Sequence, residues 1–129
     1  MHKGFLVWAA VLGALAVTFG AFGAHKLKEL VAPEAVTTFQ TGVTYQFYHV
    51  FALLAVAILY NWMPGAQLTW AGRLFVIGTF LFSGSLYAIV LCKAAGVEFP
   101  RAIGAITPLG GLCFIIGWVL LLLAVLKWK

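Results

Sequence analysis

Pro33-Glu34-Ala35-Val36-Thr37-Thr38-Phe39-Gln40-Thr41-Gly42-Val43-Thr44-Tyr45-Gln46-Phe47-Tyr48-His49 runs straight into residues 50–60, a stretch with almost no polar side-chain atom. Pro33 suits the first position of a helix, where its missing N–H would have no partner in any case. No further proline stands before Trp62, so one long helix is expected, with Gly42 as the place where it could bend. At about 100° per residue, Val36, Phe39, Val43, Phe47 and Val50 share one side. Thr37, Thr38, Thr41, Thr44, Tyr45, Tyr48 and His49 lie mostly on the other. The first half therefore predicts an amphipathic interfacial helix, and the second half a membrane span. Polar side chains carried into a bilayer need protein or water around them, because lipid satisfies none of their hydrogen bonds.

Three more apolar runs supply that protein. Spans are expected at residues 4–24, 45–62, 68–92 and 103–126, each close to the roughly 20 residues that cross a hydrocarbon core about 30 Å thick. Small residues at Ala14, Ala16 and Ala21 make a signal peptide the rival reading of the first run. The run is long for a signal core, and retention as a span is expected. The fold class is an all-α integral membrane protein. It is a four-transmembrane-helix bundle with an amphipathic interfacial helix between spans one and two, forming a single domain over residues 1–129.

Composition agrees. With 64% hydrophobic residues, 9% charged and a mean hydropathy of +1.09, the chain lacks the polar surface of a soluble domain. The net charge of +5 does not point to nucleic acid. Lys3, Lys26, Lys28, Arg73, Lys93, Arg101, Lys127 and Lys129 sit near the ends of apolar runs, where cations snorkel to the interface, and form no basic patch. Trp8, Trp62, Trp70, Trp118 and Trp128 read as an interfacial belt. Cys92 and Cys113 have no partner at metal-ligand spacing and read as plain thiols. Small residues recur at Ala9, Gly13, Ala16, Gly20 and Gly23, and again at Gly110, Cys113 and Gly117. Such stripes let helix backbones approach closely, within the chain or between copies, so a homo-oligomer and membrane lipids are the expected partners.

Four spans put both termini on one side. His25 closes span one, Gln46 and His49 open span two, Ser83, Ser85 and Tyr87 lie late in span three, and Thr107 opens span four. All fall towards the face opposite the termini, so every span contributes to one polar half. Tyr45 and His49 are spaced to meet along a helix, as are Gln46 and His49. His25, Tyr45, Gln46, His49, Ser83, Ser85, Tyr87 and Thr107 are thus the candidate ligand-binding residues. One reading is non-enzymatic binding of a small polar or amphiphilic ligand such as a lipid headgroup or quinone. The histidines would then handle protons, Gln46 and Tyr87 would orient the ligand, and the hydroxyls would line it. A second makes the same residues a network that only holds the helices in a structural or assembly scaffold. A third, less favoured for want of cysteine or carboxylate company, is a bis-histidine haem or metal site.

No cofactor or metal is expected. An enzyme is not expected either: there is no H-E-x-x-H, P-loop or Rossmann glycine pattern, and no aspartate for a Ser-His-Asp arrangement. A conducting pore has little room among short, glycine-packed helices. Lysine and arginine counts tie across the two faces, while Glu29, Glu34 and Glu98 all lie opposite the termini, a lean towards cytoplasmic termini.

Four separated motifs resemble one family. They are Gly20-Ala21-Phe22-Gly23-Ala24-His25, Phe39-Gln40-Thr41-Gly42-Val43 with Tyr45-Gln46 and Tyr48-His49, Leu81-Phe82-Ser83-Gly84-Ser85-Leu86-Tyr87, and Ile106-Thr107-Pro108-Leu109-Gly110-Gly111. Together, over essentially the whole chain, they are similar to the small four-helix membrane proteins of domain of unknown function 423, which include transmembrane protein 256-like proteins. Val50 stands where that family usually has alanine. The resemblance implies a bacterial inner-membrane or mitochondrial-type protein of four helices. It supplies no reaction, and its motifs contain the candidate residues His25, Gln46, His49, Ser83, Ser85, Tyr87 and Thr107.

Overall fold

A computed structural model describes all residues from 1 to 129. Its long elements are α1 Lys3–Ala24, α2 Pro33–Leu59, α3 Ala66–Ala94 and α4 Ile106–Lys127, with 3-10 turns at Lys26–Glu29 and Arg101–Ala105 and no strand. All four helices are long and apolar enough to cross a membrane. The chain is an all-α integral membrane protein.

The amphipathic stretch is not a separate helix. It is the first half of α2, which continues for 27 residues through Gly42 without a break, with Pro33 in its first turn. Three of its threonines are satisfied by their own helix: Thr37, Thr38 and Thr41 donate to the carbonyls of Pro33, Glu34 and Thr37 at 3.0–3.1 Å. Span two also ends earlier than expected, at Leu59, where Asn61 and Trp62 fold back onto the carbonyls of Ile58 and Leu59. At the far end of α3, Gly96 takes φ +70°. That left-handed residue lets the Val97 N–H reach the Cys92 carbonyl at 2.9 Å and closes the helix.

Consecutive helices pack on one another, α1 on α2, α2 on α3 and α3 on α4. The inner pair, α2 and α3, carries most of the buried side chains, while α1 and α4 turn apolar residues such as Val7, Val17, Ile115 and Leu122 outwards. In a bilayer that surface meets acyl chains and costs nothing to expose. The core falls into two clusters, one around Phe5, Leu53, Phe75 and Phe114, the other around Leu27, Phe39, Val43 and Tyr87. The small-residue stripes face inwards. Gly13 and Gly20 of α1 lie against Val50 and Val43 of α2, and Gly110 and Gly117 of α4 lie against Phe82 and Phe75 of α3. Within the chain these stripes let neighbouring helices approach closely.

Both termini lie at one end. The His2 N–H donates to the Ala57 carbonyl at 3.0 Å, and the Met1 amino group reaches Asn61 Oδ1 at 3.5 Å. Trp128 and Lys129 share a surface groove with Met63 and Pro64 of the α2–α3 turn.

Candidate functional site

Each polar side chain inside an apolar helix must find a partner on another helix or on its own backbone, and the partners chosen define the site. Gln46, 2% exposed, bridges three helices. Its Nε2 donates to the Leu12 carbonyl of α1 at 2.7 Å, and its Oε1 accepts from the Tyr87 hydroxyl of α3 at 2.7 Å. Ser83 Oγ of α3 donates to the Gly42 carbonyl of α2, also at 2.7 Å. Gly42 permits this. A Cβ there would stand 2.8 Å from Tyr87 Cε1 and 3.4 Å from the Ser83 carbonyl oxygen, so α3 could not come so close.

His49 makes a second centre. Its Nδ1 lies 2.7 Å from the Tyr45 carbonyl, and Trp118 Nε1 of α4 donates to its Nε2 at 3.1 Å. An indole N–H can only donate and a carbonyl can only accept. The ring is therefore the neutral Nδ1–H tautomer, with both nitrogens engaged. It stacks on Phe114, centroids 3.5 Å apart and planes within 8°, with Phe75 against its other neighbours at 5.4 Å. A third contact joins α3 to α4, where the Ser85 and Thr107 hydroxyls meet and Ser85 also donates to the Phe82 carbonyl. Thr79 is satisfied by the Phe75 carbonyl at 2.8 Å. No buried side-chain nitrogen or oxygen lacks a partner.

The eight candidate residues thus divide. Gln46 and Tyr87 form one bonded pair between α2 and α3, and Ser83 joins the same two helices separately through the Gly42 carbonyl. His49 centres a second group, and Ser85 and Thr107 form a third. Tyr45 contributes its backbone carbonyl, while its ring is 40% exposed and packs on Tyr48 and Phe82. His25 stands apart from all of them. It is exposed at the end of α1, where its backbone N–H caps onto Phe22, and its side chain makes no hydrogen bond. From Pro33 to His49 the axis of α2 covers about 24 Å at 1.5 Å per residue, so His49 lies deep in the bundle while His25 lies before that helix begins. The two imidazoles do not converge on a common metal or haem iron. Nor does any group of three His, Cys, Asp or Glu side chains come together.

Sequence reasoning missed Trp118 and Phe114. Trp118 is no interfacial residue: it sits in the middle of α4 with its N–H on His49. The spacing of Phe114 and Trp118, one helical turn apart on α4, was the available signal, but nothing in the sequence pairs that face with His49.

Two apolar grooves lie on the surface, outside this network. One of about 300 Å³ runs beside Thr18, Phe19, Phe22, Phe39 and Leu91 and is wholly apolar. Another, of about 180 Å³, lies beside Phe5, Trp8, Arg73, Val76 and Ile77 near the terminal end.

The model of a protein of unknown function, DUF423, matches residues 19–111, from the end of α1 to the start of α4, which include Gln46, His49, Ser83, Ser85, Tyr87 and Thr107. The chain belongs to this family. It is 39% identical over 127 residues to the UPF0382 membrane protein YwdK of Bacillus subtilis, covering 98% of each chain. It is 38% identical to a UPF0382 membrane protein of Staphylococcus epidermidis, covering 97% of each. With the UPF0382 inner membrane protein YgdD of Escherichia coli K12 it shares 35% identity over 96% of this chain and 90% of that one. No solved structure matches it. The family carries no assigned reaction, and none of these relatives has an enzyme's name.

Proposed function

We propose that this DUF423 protein is a non-catalytic structural module of the bacterial inner membrane, an assembly or scaffold unit whose polar network fixes one arrangement of four helices. The inner-membrane placement follows the name of the Escherichia coli relative. The observation that carries the reading is the complete internal pairing of its buried polar side chains. A ligand-binding centre keeps donors or acceptors free for its guest. Here Gln46 is engaged through both ends of its amide and His49 through both ring nitrogens. What the module offers its surroundings is then its outer surface.

The experiment is thermal unfolding of His49→Ala in detergent, paired with native mass spectrometry of both proteins. Truncation removes the Phe114 stack and leaves the Trp118 N–H unpaired. A loss of about 1–3 kcal/mol is expected, with the same bound species on mutant and wild type. An adduct carried by the wild type and lost by a folded His49→Ala would overturn the proposal. It would favour the second reading, an amphiphile held by the bundle. That reading draws its support from the apolar groove beside Phe19, Phe22 and Phe39, two of whose rings lie 4.8 Å from Tyr87.

A further inference from the structure

Arg73 is a charge without a carboxylate partner. It lies in the third turn of α3, is exposed, and takes part in no hydrogen bond or ion pair. The single ion pair of the chain, Lys26 with Glu29 at 3.1 Å, is at the opposite end. The other two acidic side chains, Glu34 and Glu98, are at that opposite end as well, so the terminal face holds cations and no carboxylate side chain.

Depth sharpens the problem. The 29 residues of α3 span about 43 Å against a hydrocarbon core of about 30 Å. With the helix centred, each end extends about 6 Å beyond the core, and the Cα of Arg73, about 10 Å from Ala66, lies about 4 Å inside it. The guanidinium turns back towards the interface. Its carbon stands 4.9 Å over the ring of Trp70, one turn nearer the start of the helix. Beneath it runs the groove of about 180 Å³ whose other walls are Phe5, Trp8, Val76 and Ile77. Trp8 is braced edge-on against Phe80, centroids 5.8 Å apart.

We propose that this groove is a binding site for one anionic phospholipid, with the phosphate on Arg73 and an acyl chain along Trp8, Val76 and Ile77. A guanidinium at the edge of the core must be met by phosphate or water, and its planar fork suits two phosphate oxygens at once. The stack on Trp70 holds that fork in place and leaves its edge free. An anionic rather than zwitterionic lipid fits because no acidic side chain offsets the charge at this face.

The test is native mass spectrometry of the full chain in detergent with equimolar phosphatidylglycerol and phosphatidylcholine. The wild type is expected to keep one phosphatidylglycerol per chain in preference to phosphatidylcholine. Arg73→Gln should lower that retention about fivefold, with the variant still folded because Arg73 makes no hydrogen bond or ion pair within the chain. Lys127→Gln, a cation of the same face beside the separate groove at Met63 and Trp128, should leave it unchanged. Ile77→Asn, with Arg73 intact, should also lower it by breaking the acyl track. Equal retention of the two lipids, undiminished retention in Arg73→Gln, or an equal loss in Lys127→Gln would each refute the site. If Arg73→Gln did not fold, undiminished retention in Ile77→Asn would refute it.

Discussion

Gln46 ties α1 and α3 to α2 through one amide, and the bond to Tyr87 can be isolated from the rest. Gln46→Leu removes the acceptor of the Tyr87 hydroxyl and leaves that group buried and unpaired, at a cost of about 1–2 kcal/mol. Tyr87→Phe leaves Gln46 Oε1 without its donor and costs about 0.5–1.5 kcal/mol. The double variant removes both ends of the bond, so its loss should fall short of the sum by about 0.5–1 kcal/mol. Unfolding of the four proteins in one detergent measures this, and strict additivity would mean that the two side chains are not bonded. The need for such bonds was legible in the sequence, because a glutamine or tyrosine in an apolar run has to be satisfied. Their geometry was not. Gln46 finds partners 34 and 41 residues away, and Trp118 reaches His49 across 69 residues. Periodicity orders residues around one helix and says nothing about which faces of two helices meet.

At the scale of the element, the packing of α2 against α3 depends on where a side chain is missing. Gly42 and Gly84 are both glycines within long helices, yet they should respond oppositely to a methyl group. Gly42→Ala drives its Cβ into the Tyr87 ring and against the Ser83 backbone, and should cost about 1–3 kcal/mol. At Gly84 a Cβ meets nothing within 4 Å. There the alanine should be neutral or should stabilise by up to about 1 kcal/mol through helix propensity. Melting temperatures of the two single variants decide the point, and equal effects would contradict the close approach at Gly42. The four helices themselves were readable from the lengths of the apolar runs. The threonine stripe suggested that the first half of α2 lies in the interface, with a bend available at Gly42. Hydroxyls that bond back to carbonyls one turn earlier remove that requirement, and the helix runs through.

For the whole molecule the open question is which face looks inwards. Lys3, Arg73, Lys127 and Lys129 lie at the terminal end, and Lys26, Lys28, Lys93 and Arg101 at the other, an even count. The pairing of these cations is uneven. Lys26 is bound to Glu29, while no acidic side chain stands at the terminal end to pair with its four. Lysines and arginines set orientation and acidic residues add little, so with the count tied the lean comes only from Glu29, Glu34 and Glu98 all lying opposite the termini. The prediction is that both termini are cytoplasmic. A fluorescent protein fused to the C-terminus should then glow, and alkaline phosphatase fused there should be inactive. With counts so close, replacing Lys127 and Lys129 by glutamine should tip part of the population over and give both reporters partial activity. Strong phosphatase activity in the unaltered chain would reverse the assignment. It would also place the Arg73 groove in the outer leaflet, where the anionic lipid would have to be found instead.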